Sequence, residues 1–257
     1  MYKIFLTVLF SVLSTSLFAQ ASSSIEGKIE GIPVGNLQLL VRNSETGWNT
    51  VCTVTFSNGR FSMPNIKISE PMQARLGVVG YQGGFSFFIE PGTSYNALLR
   101  DGEGWFIHGK GLQDTDLAYQ ERCMSMMRSL SALQNRADSL RKALRYGSAS
   151  RVNDTIAHMR KALENERAAF LSANNNILSA AIMLQDAETQ DASLEVSKQL
   201  YAQLGDKAKQ SRCGQILQQR ILRLQMISKG SKAPDFTLPT AEGRSFTLSK
   251  MPGKVKI

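Results

Sequence analysis

The side chains with which this chain could do chemistry are few: Cys52, Cys123 and Cys213, His108 and His158, and carboxylates such as Glu164 and Glu166. Cysteines exchange disulfides where a lowered pKa makes a thiolate and a resolving thiol lies close, as in a Cys-x-x-Cys at a helix N-terminus. No such motif occurs here. In an oxidising compartment the odd count permits one disulfide with a spare thiol, or three buried free thiols. Each cysteine reads as a small buried apolar residue, because no sequence neighbour would clearly depress its pKa. His108 closes a strand-like run and His158 lies among Arg and Asp in a helical one. No pair has metal-ligand spacing, so both read as structural or surface residues. Glu164 and Glu166, two positions apart, cannot share a helix face and make no acid–base dyad. The stretch "GKGLQDTD" lacks the Gly-Lys-Ser/Thr order of a phosphate loop; it reads as the turn from a last strand into a first helix, with Asp114 and Asp116 as helix-start residues. No catalytic, cofactor-binding or metal-ligating residue is assigned, and no cofactor is expected.

Periodicity defines the elements that must position these side chains. From 24 to 110, short alternating apolar runs are cut by turn residues: "SIEGKIEG", "LQLLVRN", "TVCTVTF", "RFSM", "ARLGVVG", "FSFFIEPG", "SYNALLR" and "GWFIHG". Asn58-Gly59 between two of them is a hairpin signal, since both residues tolerate positive φ. The region predicts an antiparallel β domain, a small sandwich or a curled sheet with one face packed. In "YQGGFSFF", alternation buries at least half of Tyr81, Phe85, Phe87 and Phe88 and leaves the others as a partner site.

From 111 to 228 the period becomes helical. Cys123, Met126, Leu130, Leu133, Ala137, Leu140 and Leu144 form one stripe; "YGSAS" at 146–150 breaks it, and Val152, Ile156, Met159, Leu163 and Phe170 resume it. Two stripes joined by a short turn predict a helical hairpin, packed within one chain or across a homodimer. The Met-rich "CMSMMRSL" reads as adaptable packing. Further helices are expected over Ile177–Ala187, about Ser193–Leu204, and about Lys207–Ile227 with Ile216, Leu217, Ile221, Leu224 and Ile227 as a stripe; Gly230 suits the C-terminal cap. The fold class is α+β.

The composition, 42% hydrophobic and 20% charged over 257 residues, is that of a globular protein with room for one large or two ordinary domains. Residues 1–20, with Lys3 before an apolar run Ile4–Leu13, read as a secretory signal peptide cleaved after Ala19 or Ala21. Loss of Lys3 lowers the net charge from +9 to +8. With no Cys at the cleavage region to carry a lipid, an exported, periplasmic protein is expected. Its basic residues are interleaved with Asp and Glu in helical stretches, which argues for solvated helix faces and against nucleic acid as a partner. No internal run approaches the roughly 18 apolar residues of a span, so stable membrane insertion is not expected, and the charge gives at most a weak attraction to an anionic membrane surface.

The stretch "APDFTLPTAEGRSFTLSKMPGKVKI" resembles the opening of the thioredoxin-like domain in TlpA/ResA-like thiol–disulfide oxidoreductases and the related peroxiredoxins, through Ala233-Pro234-Asp235-Phe236-Thr237-Leu238, Gly243, Leu248 and Gly253-Lys254. "GRF" after a turn, "FFIEPG", and "IHGKGLQD" before a long helix are similar to the domain of unknown function that precedes such domains in exported Bacteroidetes proteins. The resemblance implies a β-hairpin laid on a thioredoxin core at 229–257, a redox motif beyond it, and thiol or disulfide proteins as partners. Cys52, Cys123 and Cys213 match none of the family's catalytic cysteines. The expectation is therefore an accessory region, redox-inactive as given; the alternative is a non-enzymatic exported binding or scaffold module.

Overall fold

The eight alternating runs all form strands, because each carries apolar residues at every second position and so has one face to bury. They are β1 (Ser23–Glu30), β2 (Val34–Arg42), β3 (Trp48–Ser57), β4 (Arg60–Ile66), β5 (Met72–Val78), β6 (Phe85–Ile89), β7 (Ser94–Arg100) and β8 (Gly104–Gly109). The computed structural model describes residues 22–82, 84–100, 104–231, 235–240 and 243–250. The leader-like segment 1–20, both proposed cleavage positions and the final 251–257 lie outside the described residues.

The strands make one continuous, nearly closed sheet in the order β6-β5-β2-β3-β4-β1-β7-β8, the curled arrangement rather than two stacked sheets. Neighbours are antiparallel except β1 and β7, which run parallel from Ser24↔Ser94 to Glu30↔Arg100. Asn58 (φ 52°) and Gly59 (φ 67°) make the tight β3–β4 turn that their types predict. Ile25, Leu37, Leu39, Met63, Leu76, Phe87, Ile89 and Ile107 fill the interior. Phe88 points the other way and joins the helical core.

The helices are α1 (Leu112–Lys142), α2 (Tyr146–Ala173), α3 (Ile177–Thr189), α4 (Leu194–Ala202), α5 (Asp206–Gln210) and α6 (Arg212–Met226). At 1.5 Å per residue, α1 is about 46 Å long. It packs along α2, its base against β6 and β8 and that of α2 against α3. A core of Leu178, Ala180, Leu184, Cys213, Ile216 and Leu217 lies under α3 and α6, with Tyr119 and Phe170 stacked at 3.9 Å.

Four sequence expectations are corrected. The hairpin turns at 143–145, not at "YGSAS", which forms the first turns of α2; Leu144 makes the reversal at φ 57°, and its side chain leaves the predicted stripe at 72% exposed. For a residue with a Cβ that left-handed conformation costs on the order of 1 kcal/mol. The expected helix over 207–227 is two helices, because Ser211 is extended, accepts from Gly214 N and donates to Ala208 O. Gly214 itself fits only because a Cβ there would lie 2.2 Å from Ala208 O. Ile227 is exposed past the end of α6. Asp116 is no start residue: α1 begins one turn earlier, and Asp116 is buried against the sheet.

Candidate functional site

The residues of the two quoted stretches "FFIEPG" and "IHGKGLQD" meet where the sheet hands over to α1. Gln113, 1% exposed, accepts from Phe88 N at 2.9 Å and donates to Ile107 O at 3.3 Å, so one side chain ties edge strand β6 to edge strand β8. Glu90 Oε2 accepts from Leu112 N at 2.7 Å, placing a carboxylate on the N-terminus of α1. Gly111 (φ 81°) has no room for a Cβ beside that carboxylate. Glu90 N donates to the Tyr95 hydroxyl at 2.8 Å, and Ser23 Oγ donates to Glu90 O at 2.7 Å; burial pushes the Tyr95 phenol up to about 12. Gln113, Glu90, Tyr95 and Ser23 are all partnered inside the chain. It is a joint.

A second polar set clamps the β2–β3 loop onto the helices. Arg42, 7% exposed, donates to Ser44 O at 3.2 Å, Glu45 O at 2.8 Å and Gln73 Oε1 at 3.1 Å, and pairs with Glu188 of α3. Arg220 of α6, 5% exposed, pairs with Glu45 and reaches Asp191 at 3.3 Å and Ala192 O at 3.2 Å.

Between joint and clamp lies a cleft of about 300 Å³, lined by Arg42, Trp48, Gln73, Arg75, Ser86, Phe88, Asp116, Gln120, Gln185 and Glu188 among others. The Arg75 guanidinium lies 4.5 Å from the Trp48 ring centre and that of Arg42 5.8 Å from it, both within cation–π range. Arg75 Nε is buried with no acceptor, and Arg75 has no carboxylate partner among the described residues. Across the cleft Asp116 takes one hydrogen bond, from Gln120 at 2.6 Å, and burial raises its carboxyl to about 6. The cleft therefore offers a cationic, aromatic wall and a carboxyl that changes protonation near pH 6. Such a lining suits a small molecule with an anionic end and a hydrogen-bonding end.

The cysteines are not brought together. Cys52 is half-buried on β3 against the sheet core, Cys123 half-buried on α1 beside Tyr119, and Cys213 buried on α6; all three are free. Burial pushes the Cys213 thiol up to about 12, which keeps it protonated and unreactive at neutral pH. His108 Nδ1 lies 4.0 Å from Asp114 Oδ1 at the surface, and His158 is exposed on α2. No group of three His, Cys, Asp or Glu is placed to hold a metal among the described residues. Glu164 and Glu166 take separate partners, Lys161 at 3.4 Å and Arg122 at 2.7 Å. In "YQGGFSFF", Tyr81 is exposed, Phe85 packs at the edge of the sheet core, and Phe87 and Phe88 are buried.

Sequence reasoning missed Arg42, Trp48, Arg75 and Asp116 as a group. Arg42 and Trp48 are directly opposite across β2 and β3, and that register was the only signal available. No family model matches the chain, and no curated protein matches it either.

Proposed function

We propose that the chain is the accessory region of an exported thioredoxin-like thiol–disulfide oxidoreductase, a sheet-and-helix body carrying the opening of the redox unit at 229–257. The observation that carries this reading is the way the residues of the resembling stretch contact one another. β9 (Thr237–Pro239) and β10 (Ser245–Thr247) pair antiparallel, Gly243 makes the turn at φ 77°, and the Phe236 and Phe246 rings lie 6.2 Å apart. Asp235 accepts from both Ser249 N at 2.7 Å and Ser249 Oγ at 2.6 Å, closing the 3-10 turn Leu248–Lys250 back onto the start of the hairpin. Phe236 and Leu238 remain 46% and 56% exposed, an apolar face of the kind a two-stranded hairpin buries against a larger core. The separation of the three free cysteines supports the part of this reading that keeps redox chemistry out of the sheet-and-helix body. Two measurements test the reading. The protein recovered from the exported fraction should have an intact mass above that of the 257-residue chain, and the chain alone should reduce insulin no faster than its Cys-free variant. A mass matching the chain without its leader, or thiol-dependent turnover, overturns it.

The cleft supports a second reading, a non-enzymatic binding module. The buried Arg75 Nε without an acceptor is the feature that favours it, since such a donor is costly until a ligand satisfies it. Trp48 is a built-in reporter: on this reading small carboxylates quench or shift its fluorescence saturably, and Arg75→Leu abolishes the response. An unchanged spectrum up to millimolar ligand removes this reading.

A further inference from the structure

We infer that the tip of the α1–α2 hairpin is a peripheral docking site for the anionic phospholipid headgroup layer of a membrane. Three features of the tip each work against the fold and are explained together by that one surface. First, the reversal uses Leu144 at φ 57° where a glycine would be unstrained, and it presents the leucine side chain to solvent at 72% exposure. Second, Tyr146 beside it is 64% exposed, so the outermost point of a two-helix projection is a paired apolar and amphipathic knob. Leu and Tyr are suited to the boundary between headgroups and acyl chains, where a ring can be half in water.

Third, the charge around the knob is of one sign. Between 136 and 151, Asp138 is the single acid, and Arg141 occupies it at 2.5 Å. Arg136, Lys142, Arg145 and Arg151 are exposed and have no carboxylate within ion-pair distance among the described residues. Lys142 complements the carbonyl end of α1. Arg145 does the reverse: it sits at the N-cap of α2, whose first turn has no acid, so its charge opposes the helix dipole. Nothing among the described residues rewards an arginine there. An anionic surface does, and the apolar pair distinguishes a lipid layer from a merely acidic partner.

The base of the same hairpin behaves differently. There Arg122 pairs with Glu166 and Arg167 with Asp186, so positive charge is neutralised at the base and left free from Arg128 and Arg160, midway along the helices, out to the end that projects. Two weak signals, one apolar and one basic, are the combination that reversible membrane attachment requires.

The test is co-sedimentation of the full chain with vesicles of phosphatidylcholine alone and of phosphatidylcholine with one third phosphatidylglycerol, at low and high salt. Residues 1–21 are common to every variant, so differences between variants report the tip. Leu144→Gly is expected to weaken partition to the anionic vesicles several-fold while raising the melting temperature, which separates lost docking from lost folding. Lys142→Gln/Arg145→Gln is expected to remove most of the preference for anionic over neutral vesicles, and the salt sensitivity with it. Partition unchanged in both variants overturns the proposal. So does a tip-dependent self-association in sedimentation velocity that accounts for the pelleting without vesicles, because the occupant would then be a second copy.

Discussion

At the clamp between the β2–β3 loop and the helices, Arg42 and Arg220 are almost completely buried and each reaches several acceptors. At the far end of the hairpin, Lys142 and Arg145 stand in solvent with no carboxylate in reach among the described residues. The same contrast holds for polar and apolar groups. Gln113 is enclosed and doubly bonded at the joint, whereas Leu144 and Tyr146 are bare at the tip. Groups paired within the chain hold its fold together, and the strained, exposed groups of the tip are the ones that contribute least to it.

The contrast is sharpest if removing a clamp or joint residue is costly. Arg220→Ala strands Glu45 and Ala192 O in a buried setting, and a loss of about 4 kcal/mol is expected in urea unfolding, as for a buried pair that loses one partner. A loss below about 1 kcal/mol would show that Arg223, 2.7 Å from Glu45, carries the clamp instead. Gln113→Leu should cost about 2 kcal/mol, since it leaves Phe88 N and Ile107 O unbonded, and amide exchange should quicken along β6 and β8 before the rest of the sheet.

Asp116 adds a pH dependence. Its carboxyl is raised in the folded chain, so folding favours the protonated form: the group withholds stability above about pH 6 and withholds none below the unfolded value near 4. Asp116→Asn should therefore stabilise the protein by about 1–2 kcal/mol at pH 8 and by nothing measurable at pH 4. An equal effect at both pH values would place the carboxyl in water. Smallest and opposite in sign is the tip: Arg145→Asp puts a good capping residue where a cation now opposes the dipole, and thermal melts should show a gain of about 0.5–1 kcal/mol. A loss at that site would mean the tip is built for the fold after all.

The strands were legible because their alternation and the Asn58-Gly59 turn are local signals. The helical stripes were legible for the same reason: Ala137, Ile156 and Phe170 are buried and the other stripe positions half-buried, Leu144 excepted. The break in the hairpin was not, because glycine at 147 outweighs leucine at 144 in any local reading. Single or stacked sheets could not be told apart, since inward and outward faces alternate identically in both. The cleft was the least legible part. Arg42, Arg75 and Asp116 come from three elements, β2, β5 and α1, and converge only through strand register and the docking of α1. "FFIEPG" and "IHGKGLQD" were visible as motifs, yet what they build is a seal between two strand edges.

One strand also sets a timetable. β1 lies between β4 and β7, and its parallel partner is 70 positions away at Ser24↔Ser94. The β2–β3 and β3–β4 hairpins can close within microseconds, but β1 gains its second neighbour only when a long loop is closed, which slows folding. Pulse-labelled amides of β2 and β3 should therefore be protected before those of β1. During that interval β1 exposes one unpaired edge, and an unpaired edge is a template for other chains. The sheet's last pairing is thus its most vulnerable moment, and a helper acting on the unfolded chain would find its most useful target at the β1–β7 seam.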